Sequence, residues 1–349
     1  MKGKFEKLQR LIEGDHAAAL ITDELNQYYL TGFRYTDGYV LVTPAKTYLL
    51  CDFRYLEAAE KVPGVVAVDT KNNGLKTLVY DLGIKTLYYE DLSMTVATLS
   101  RFQDAYPDVS FLPLGNKLLR LREYKEADEI DAIRRAQKIT DKAFKHILGY
   151  IKPGVKETDV ALELEYCMRR LGAESTAFET ICVSGASSSL PHGVPQNRKL
   201  RKGFLTMDFG AKVEGYCSDM TRTIVIGKAD SKMRKLYNTV LEAQLAALDF
   251  MKNGVTGKDA DKVARDIIDK DYPGAFGHSL GHGVGLFIHE QPGASVRAEQ
   301  TFTDGHVVTV EPGIYLPGKY GCRIEDMVIF HDGICEDITK SPKTLIEIE

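Results

Sequence analysis

Four acidic residues stand out because they form two pairs with the same local pattern. Asp208 in MDFG and Glu311 in VEPG are each followed two residues later by glycine, and each precedes a second acid, Asp219 or Glu325. Turn-forming residues between the members of each pair predict two antiparallel hairpins. Since facing positions on paired strands lie about 5 Å apart, each hairpin is expected to present two carboxylates on one face.

Four clustered carboxylates indicate a metal site, because burial of unpaired carboxylates costs several kcal/mol each. Protonation or Arg and Lys partners are the alternatives to a metal. Oxygen ligands favour hard or borderline divalent ions, and one imidazole would favour Mn, Co, Fe or Zn over Ca. Three of the eight histidines, His278, His282 and His289, fall within twelve residues. The surrounding glycines argue against a helix and favour a loop or strand edge approached closely by a ligand.

The elements that must position these acids form an internal repeat. Shifting the chain by 100 residues aligns the segment that starts at Arg134 with the one that starts at Arg234. Each copy predicts a helix, a turn at glycine, a second helix and then strands. Two such halves related by a pseudo-twofold axis would bring all four carboxylates together. The identical pairs include Ala143/Ala243, Leu148/Leu248, Lys152/Lys252, Gly154/Gly254, Val155/Val255 and Asp159/Asp259.

Residues 1–120 are expected to form a separate small α/β domain, followed by the repeat-containing domain over 121–349. Apolar runs predict strands at 17–21, 39–42 and 47–50, and helices are expected near 53–61 and 93–106. The boundary is placed before a highly charged stretch whose apolar residues recur at helical spacing.

Composition excludes several classes of protein. The chain has 349 residues, 45 Lys+Arg against 49 Asp+Glu and a net charge of −4, which argues against non-specific nucleic-acid binding. There is no apolar run of about 18 residues, so no membrane partner is expected, and the charged start lacks the apolar core of a signal peptide. Six cysteines without CxxC pairs predict free thiols and a cytoplasmic location.

The segments DFGAKVEGYCSDMTRT, GHSLGHGVGLFIHEQP and EPGIYLPGKYGCRIED resemble the pita-bread metallopeptidases, in particular aminopeptidase P and prolidase. NQYYLTGFRYTDGYVLV and CDFRYLEAA resemble, more loosely, the creatinase-type N-terminal domain. The resemblance implies an α/β (α+β) fold: a small creatinase-like domain over 1–120 and a pita-bread catalytic domain over 121–349.

The resemblance implies two divalent metal ions held by Asp208, Asp219, His282, Glu311 and Glu325. Asp219 and Glu325 match bridging carboxylates, and Glu311 matches a ligand that also shuttles protons. A water or hydroxide that bridges the ions would be the nucleophile. Mn²⁺ is the expected ion, with Co²⁺, Zn²⁺ or Fe²⁺ as alternatives.

Four further residues match family positions near the substrate. His192 matches a pocket histidine, while His278 and His289 match histidines that contact substrate or support the ligands, and so could stabilise the developing oxyanion. Arg323 matches a residue beside Glu325 that could orient it or bind substrate.

The implied reaction is hydrolysis of an Xaa-Pro bond with release of the N-terminal residue. Prolidase would take dipeptides and aminopeptidase P longer peptides, and the sequence leaves both open. A methionine aminopeptidase-like exopeptidase and a non-enzymatic pita-bread binding module are the alternatives. Creatinase activity is the least favoured alternative. Creatinase works without metal, whereas all five ligand positions are filled in this sequence. A homodimer is expected. The N-terminal domain is expected to take part in dimerisation and to cover the mouth of the active site.

Overall fold

The computed structural model describes residues 2–71 and 74–349. The chain divides into two compact units, Met1–Arg122 and Glu123–Glu349. The first unit mixes helices and strands. The described elements are, in order, α1 (Lys2–Gln9), β1 (Ala17–Ile21), α2 (Glu24–Thr31), β2 (Tyr39–Val42), β3 (Thr47–Cys51), α3 (Phe53–Ala59), β4 (Val65–Asp69), α4 (Gly74–Asp81), β5 (Thr86–Tyr89), α5 (Val96–Ala105), β6 (Ser110–Pro113) and α6 (Lys117–Glu123), with β2 and β3 in direct succession.

The six strands of the first unit form one mixed sheet in the order β4-β3-β2-β1-β5-β6. Strand β1 is antiparallel to β2 and parallel to β5. All five residues of β1 are buried, as expected for a central strand covered on both faces. The strands and helices expected from residues 17–21, 39–42, 47–50, 53–61 and 93–106 are confirmed to within a few residues.

The second unit contains the predicted repeat. Its four long helices are α7 (Ala127–Tyr150) and α8 (Glu157–Arg170) in the first half, and α9 (Ser231–Phe250) and α10 (Gly257–Asp271) in the second. Both helix pairs turn at a glycine with positive φ, 95° at Gly154 and 88° at Gly254, a conformation that glycine adopts without steric cost. Corresponding backbone bridges follow, from Lys156 to Lys199 and from Thr256 to Thr301.

The strands of the second unit form two larger sheets and two small ones, ordered β20-β12-β9-β8, β14-β13-β15-β18-β19, β11-β10-β7 and β16-β17. A short 3-10 helix spans Gly185–Ser189. The strands are β7 (Ser175–Thr176), β8 (Ile181–Ser184), β9 (Gly203–Phe209), β10 (Ala211–Val213), β11 (Tyr216–Cys217), β12 (Met220–Ile226), β13 (Gly281–Gly283), β14 (Glu290–Ala294), β15 (Val307–Val310), β16 (Gly313–Leu316), β17 (Tyr320–Arg323), β18 (Asp326–His331), β19 (Ile334–Asp337) and β20 (Glu347–Ile348).

Each half has its own hydrophobic core. In the first, α7 and α8 pack on β9 and β12 through residues such as Phe144, Leu164 and Met207. In the second, α9 and α10 pack on β15 and β18 through residues such as Ile268 and Val308. The helices therefore pack against the strands that carry or adjoin the predicted acidic ligands, and this packing sets the positions of those acids. Within 2–71 and 74–349, none of the helices is long and apolar enough to cross a bilayer.

Candidate metal centre

The four acids lie at strand ends in the middle of the second unit. Asp208 is in β9, Asp219 directly precedes β12, Glu311 directly follows β15 and Glu325 directly precedes β18. In the second half, Val310 pairs with Asp326, so Glu311 and Glu325 come next along the two strands, as predicted. The first half differs, because Thr221 rather than Asp219 lies opposite Asp208.

His282 is in the middle of the short strand β13, where neighbouring strands approach too closely for larger residues. A Cβ on Gly281 would lie 1.9 Å from the carbonyl oxygen of Thr309, and one on Gly283 would lie 2.4 Å from that of Gln291. Gly281 and Gly283 therefore make room for neighbouring backbone. Gly281 also lines the cavity at this site, and the close approach of a ligand stays a prediction. The predicted absence of a helix here is confirmed.

The ring of His282 has the tautomer that a metal ligand needs. Its Nδ1 lies 3.1 Å from the carbonyl oxygen of Gly283, which can only accept, so Nδ1 carries the proton. The bare Nε2 points at the acids, 3.6 Å from Asp219 Oδ2 and 3.4 Å from Glu311 Oε1. Burial and the neighbouring His289 lower the pKa of His282 to about 4, so the ring is neutral at pH 7.

The carboxylates crowd one another in a buried space. Burial, together with the charges of the neighbouring acids, raises the pKa values of Asp219 and Glu325 well above their usual range. Burial likewise raises the pKa of Glu311 to about 8, although Arg323 opposes the shift. A site built this way favours either bound protons or additional positive charge.

The donor set fits divalent metal ions. The Oδ1 atoms of Asp208 and Asp219 are buried and accept no hydrogen bond from the residues that the structure describes. Ligand atoms of Asp219, His282 and Glu325 lie within 4.8 Å of one another. Carboxylate oxygens with one imidazole nitrogen suit Mn, Fe, Co or Zn, and such a cation would satisfy the oxygens that lack partners.

Arg323 connects the acids to His278. Its Nη2 donates to Asp208 Oδ2 at 2.6 Å and its Nη1 to the Tyr315 hydroxyl at 2.7 Å. His278 Nε2 lies 3.0 Å from that hydroxyl, while its Nδ1 lies 2.9 Å from the carbonyl oxygen of Ser279. Nδ1 must therefore carry the proton, and Tyr315 donates to Nε2. Both ring nitrogens of His278 are thus engaged within the protein.

One cavity of about 530 Å³ is lined by all nine residues singled out in the sequence. His192 and His289 are exposed in it, and the ring centroid of His289 lies 4.4 Å from that of His282. Apolar side chains form one part of the remaining wall: Phe178, Ile181, Pro191, Val194, Pro195 and Ile288. The other lining residues are Glu179, Thr180, Gly193, Ser279 and Gly281. The cavity thus combines a cluster of charged donors with an apolar wall.

Hydroxyl groups of Tyr315, Thr221 and Thr309 also contact the predicted set, and the sequence did not identify these residues. Tyr315 bridges Arg323 and His278, as described above. The hydroxyl of Thr221 donates to Glu325 Oε2 at 2.7 Å and accepts from Arg323 Nε at 2.9 Å. That of Thr309 lies 3.3 Å from Glu311 Oε1. For Thr221 a signal existed, since it follows Asp219 by two residues and alternate strand residues share a face.

Family models and relatives cover nearly all of the chain. Residues 131–332 match metallopeptidase family M24, and residues 4–124 match the creatinase/prolidase N-terminal domain. A curated Xaa-Pro dipeptidase from Pyrococcus horikoshii is 36% identical over 98% of this chain and 99% of its own length.

Solved structures agree. An Xaa-Pro dipeptidase from Bacillus anthracis superposes with a TM-score of 0.95 at 42% identity, covering 99% of each chain. An X-Pro aminopeptidase from Thermotoga maritima superposes with a TM-score of 0.91 at 37% identity, covering 97% of this chain and 99% of its own. The expected fold, a small creatinase-like domain ahead of a pita-bread catalytic domain, is confirmed. The chain therefore belongs to metallopeptidase family M24, with a creatinase/prolidase-type N-terminal domain.

Proposed function

We propose that this protein is an Xaa-Pro metalloexopeptidase, which hydrolyses the bond before proline and releases the N-terminal residue. The observation that carries the proposal is the convergence of four acids and the bare Nε2 of His282 in one cavity. Relatives named as Xaa-Pro dipeptidases and as an X-Pro aminopeptidase support the substrate class.

Two divalent ions would be held by five residues: Asp208, Asp219, His282, Glu311 and Glu325. When bound, the ions would lower the pKa of water and polarise the scissile carbonyl. The expected ion is Mn²⁺, with Co²⁺, Zn²⁺ or Fe²⁺ as alternatives, and the mixed oxygen and nitrogen donor set supports this group of ions.

Glu311 is the proposed proton carrier. Its carboxylate is held by the Thr309 hydroxyl at Oε1, and Arg323 Nε lies 3.9 Å from its Oε2. As a carboxylate in this cavity, Glu311 would accept the proton that the attacking water loses and pass it to the leaving prolyl nitrogen. An amide anion is a poor leaving group, so the C–N bond breaks only as that nitrogen receives a proton.

The remaining residues bind and orient the substrate. His192 and His289 are exposed in the cavity and are the proposed donors to the peptide carbonyl and its oxyanion. Arg323 fixes Asp208, and His278 acts from the other end of the Arg323–Tyr315 hydrogen-bond chain. The apolar side chains of Phe178 and Ile288, which line the cavity, would receive the proline ring.

The test is a kinetic panel of Ala-Pro, Ala-Pro-Ala, Met-Ala and creatine, run with Mn²⁺ and again after chelation. We expect turnover of Ala-Pro, Ala-Pro-Ala or both, lost on chelation and restored by Mn²⁺. Their kcat/KM ratio decides between dipeptidase and aminopeptidase action. Turnover of Met-Ala alone would favour the methionine aminopeptidase reading. Creatine turnover that survives chelation, or no turnover at all, would reject the proposal.

The proposal assigns residues 1–120 to the creatinase-like domain and 121–349 to the catalytic domain, which the division after Arg122 supports. It also includes a cytoplasmic homodimer with no membrane or nucleic-acid partner. Six free cysteines support a reducing compartment. Light scattering at micromolar concentration should give twice the chain mass of 38.9 kDa, and a monomer mass would reject the dimer.

A further inference from the structure

A buried ion pair on α10 lies outside the set of residues considered so far. Arg265 Nε donates to Asp261 Oδ2 at 2.8 Å and its Nη2 to Oδ1 at 3.0 Å. The Asp261 side chain is fully buried and that of Arg265 is 25% exposed. Burying a charge pair is favourable only when its remaining hydrogen-bonding groups are satisfied, so the other contacts of this pair are informative.

Those contacts all fall on the loop that leads into β13. Arg265 Nη1 donates to the carbonyl oxygen of Phe276 at 2.6 Å, and Nη2 donates to that of His278 at 2.9 Å. The guanidinium also lies over the Phe276 ring, 4.3 Å from its centroid. Asp261 Oδ1 accepts from the backbone N–H of Leu280 at 3.0 Å. One ion pair therefore fixes three backbone groups between residues 276 and 280.

The same loop is joined to the metal ligands. The carbonyl oxygen of Leu280 accepts from the backbone N–H of Glu311 at 2.8 Å, and His282 follows two residues after Leu280. Displacement of residues 276–280 would thus move His278, His282 and Glu311 together.

We propose that Asp261 and Arg265 are positioning residues, which set the loop 276–280 so that His278, His282 and Glu311 keep their mutual geometry. This inference rests on the proposed function, because the geometry matters for catalysis only if these residues bind metal and act on a substrate. It predicts an effect on the chemical step and on the electronic environment of a bound metal, beyond any effect on folding.

The same helix provides a matched control. Lys262 and Asp266 form an ion pair with the same four-residue spacing and an Nζ–Oδ2 distance of 2.7 Å, but their side chains are 67% and 59% exposed. Exposed pairs of this kind contribute little to stability. Within residues 2–71 and 74–349, neither side chain of this pair hydrogen-bonds to the loop. Asp266→Asn therefore removes an ion pair from α10 without touching residues 276–280.

The experiment compares wild type, Arg265→Lys, Asp261→Asn and Asp266→Asn. Arg265→Lys keeps the positive charge but loses the fork that reaches two carbonyl oxygens. In Arg265→Lys we expect kcat for Ala-Pro to fall about ten- to a hundred-fold. KM should stay within about two-fold of the wild-type value, and elemental analysis should find the same metal content as in wild type. In cobalt-loaded protein the visible absorption bands should shift in position or intensity. Asp266→Asn should match wild type in every measurement.

Asp261→Asn leaves Arg265 without its buried partner and so also lowers stability, which is why Arg265→Lys decides the outcome. The inference is overturned if folded Arg265→Lys retains wild-type kcat and an unchanged cobalt spectrum, or if Asp266→Asn shows the same losses. If wild type fails to hydrolyse any Xaa-Pro substrate while the cobalt spectrum still changes in Arg265→Lys, the proposed function fails and the positioning role stands.

Discussion

At the residue scale, hydrogen bonds give His278 and His282, two histidines of the same glycine-rich segment, different roles. His282 and His278 are four residues apart, both are largely buried, and burial lowers the pKa of each to about 4. In both, Nδ1 donates to a backbone carbonyl oxygen. The Nε2 of His282 faces the acids, whereas that of His278 accepts from Tyr315. Only His282 therefore offers a lone pair to a metal ion.

Tyr315→Phe tests the hydrogen-bond chain between Arg323 and His278. The phenylalanine keeps the ring but leaves Arg323 Nη1 with the Pro191 carbonyl oxygen at 3.2 Å and leaves His278 Nε2 without its donor. Loss of a buried hydrogen bond costs about 1–3 kcal/mol, so we expect kcat/KM for Ala-Pro to fall about ten-fold, with metal content unchanged. Tyr320→Phe, on the neighbouring strand, is the control. Wild-type kinetics in Tyr315→Phe would contradict a role for this chain.

At the element scale, the second helix of each half holds the strand or loop beside the site through a buried acid. On α10 this acid is Asp261, as described above. On α8 it is Glu157, whose carboxylate accepts from the backbone N–H and hydroxyl of Ser184, from Gln196 N and from Arg198. The two acids are not at equivalent positions of the repeat. Each half therefore uses different contacts to hold a strand or loop against its second helix.

Glu157→Gln should destabilise the first half without changing the metal ligands. The amide cannot accept all of the hydrogen bonds that the carboxylate accepts, and it leaves Arg198 without its ion-pair partner. We expect the free energy of unfolding in urea to fall by about 3 kcal/mol. Glu165→Gln, on the same helix, should change it by less than about 0.5 kcal/mol. Equal stability of the two variants would show that Glu157 does not hold β8.

At the scale of the whole molecule, repulsion among the crowded carboxylates lowers folding stability when they are ionised, and bound cations would offset that repulsion. Three buried acids and the partly buried Glu311 lie near one arginine, Arg323. The pKa values of Asp219, Glu311 and Glu325 are raised. A carboxyl whose pKa is higher in the folded than in the unfolded state binds more protons when folded. Folding stability then falls as pH rises from the unfolded pKa to the folded one.

Metal-free protein should therefore lose stability between about pH 4.5, the ordinary pKa of Glu311, and pH 8, its folded value. One such group contributes about 1.4 kcal/mol per pH unit inside this window. Urea unfolding of chelated protein at several pH values measures the slope. We expect a smaller slope in Glu311→Gln and in Mn²⁺-loaded wild type. A slope that is identical in chelated wild type and Glu311→Gln would show that Glu311 does not titrate in this range.

Much of the fold could be predicted from the sequence, because the relevant signals are local. Apolar runs predicted the strands of the first unit, and the 100-residue repeat predicted both helix pairs with their glycine turns. The turn residues Glu214 and Gly215 do join β10 to β11, with φ of 47° and 80°. The candidate metal ligands also came from short motifs, and their catalytic roles stay predictions for the experiments above.

Residue types and spacing alone determined that the chain contains a repeated helix pair, that each copy is followed by two acids, and that a cluster of histidines lies after the second copy. Only the tertiary structure decided that Thr221 lies opposite Asp208, that Tyr315 joins Arg323 to His278, and that Arg265 binds the loop before β13. The physical reason is distance along the chain. Arg323 and Asp208 are 115 residues apart, so their hydrogen bond depends on how strands of the two halves pack, which no local pattern encodes.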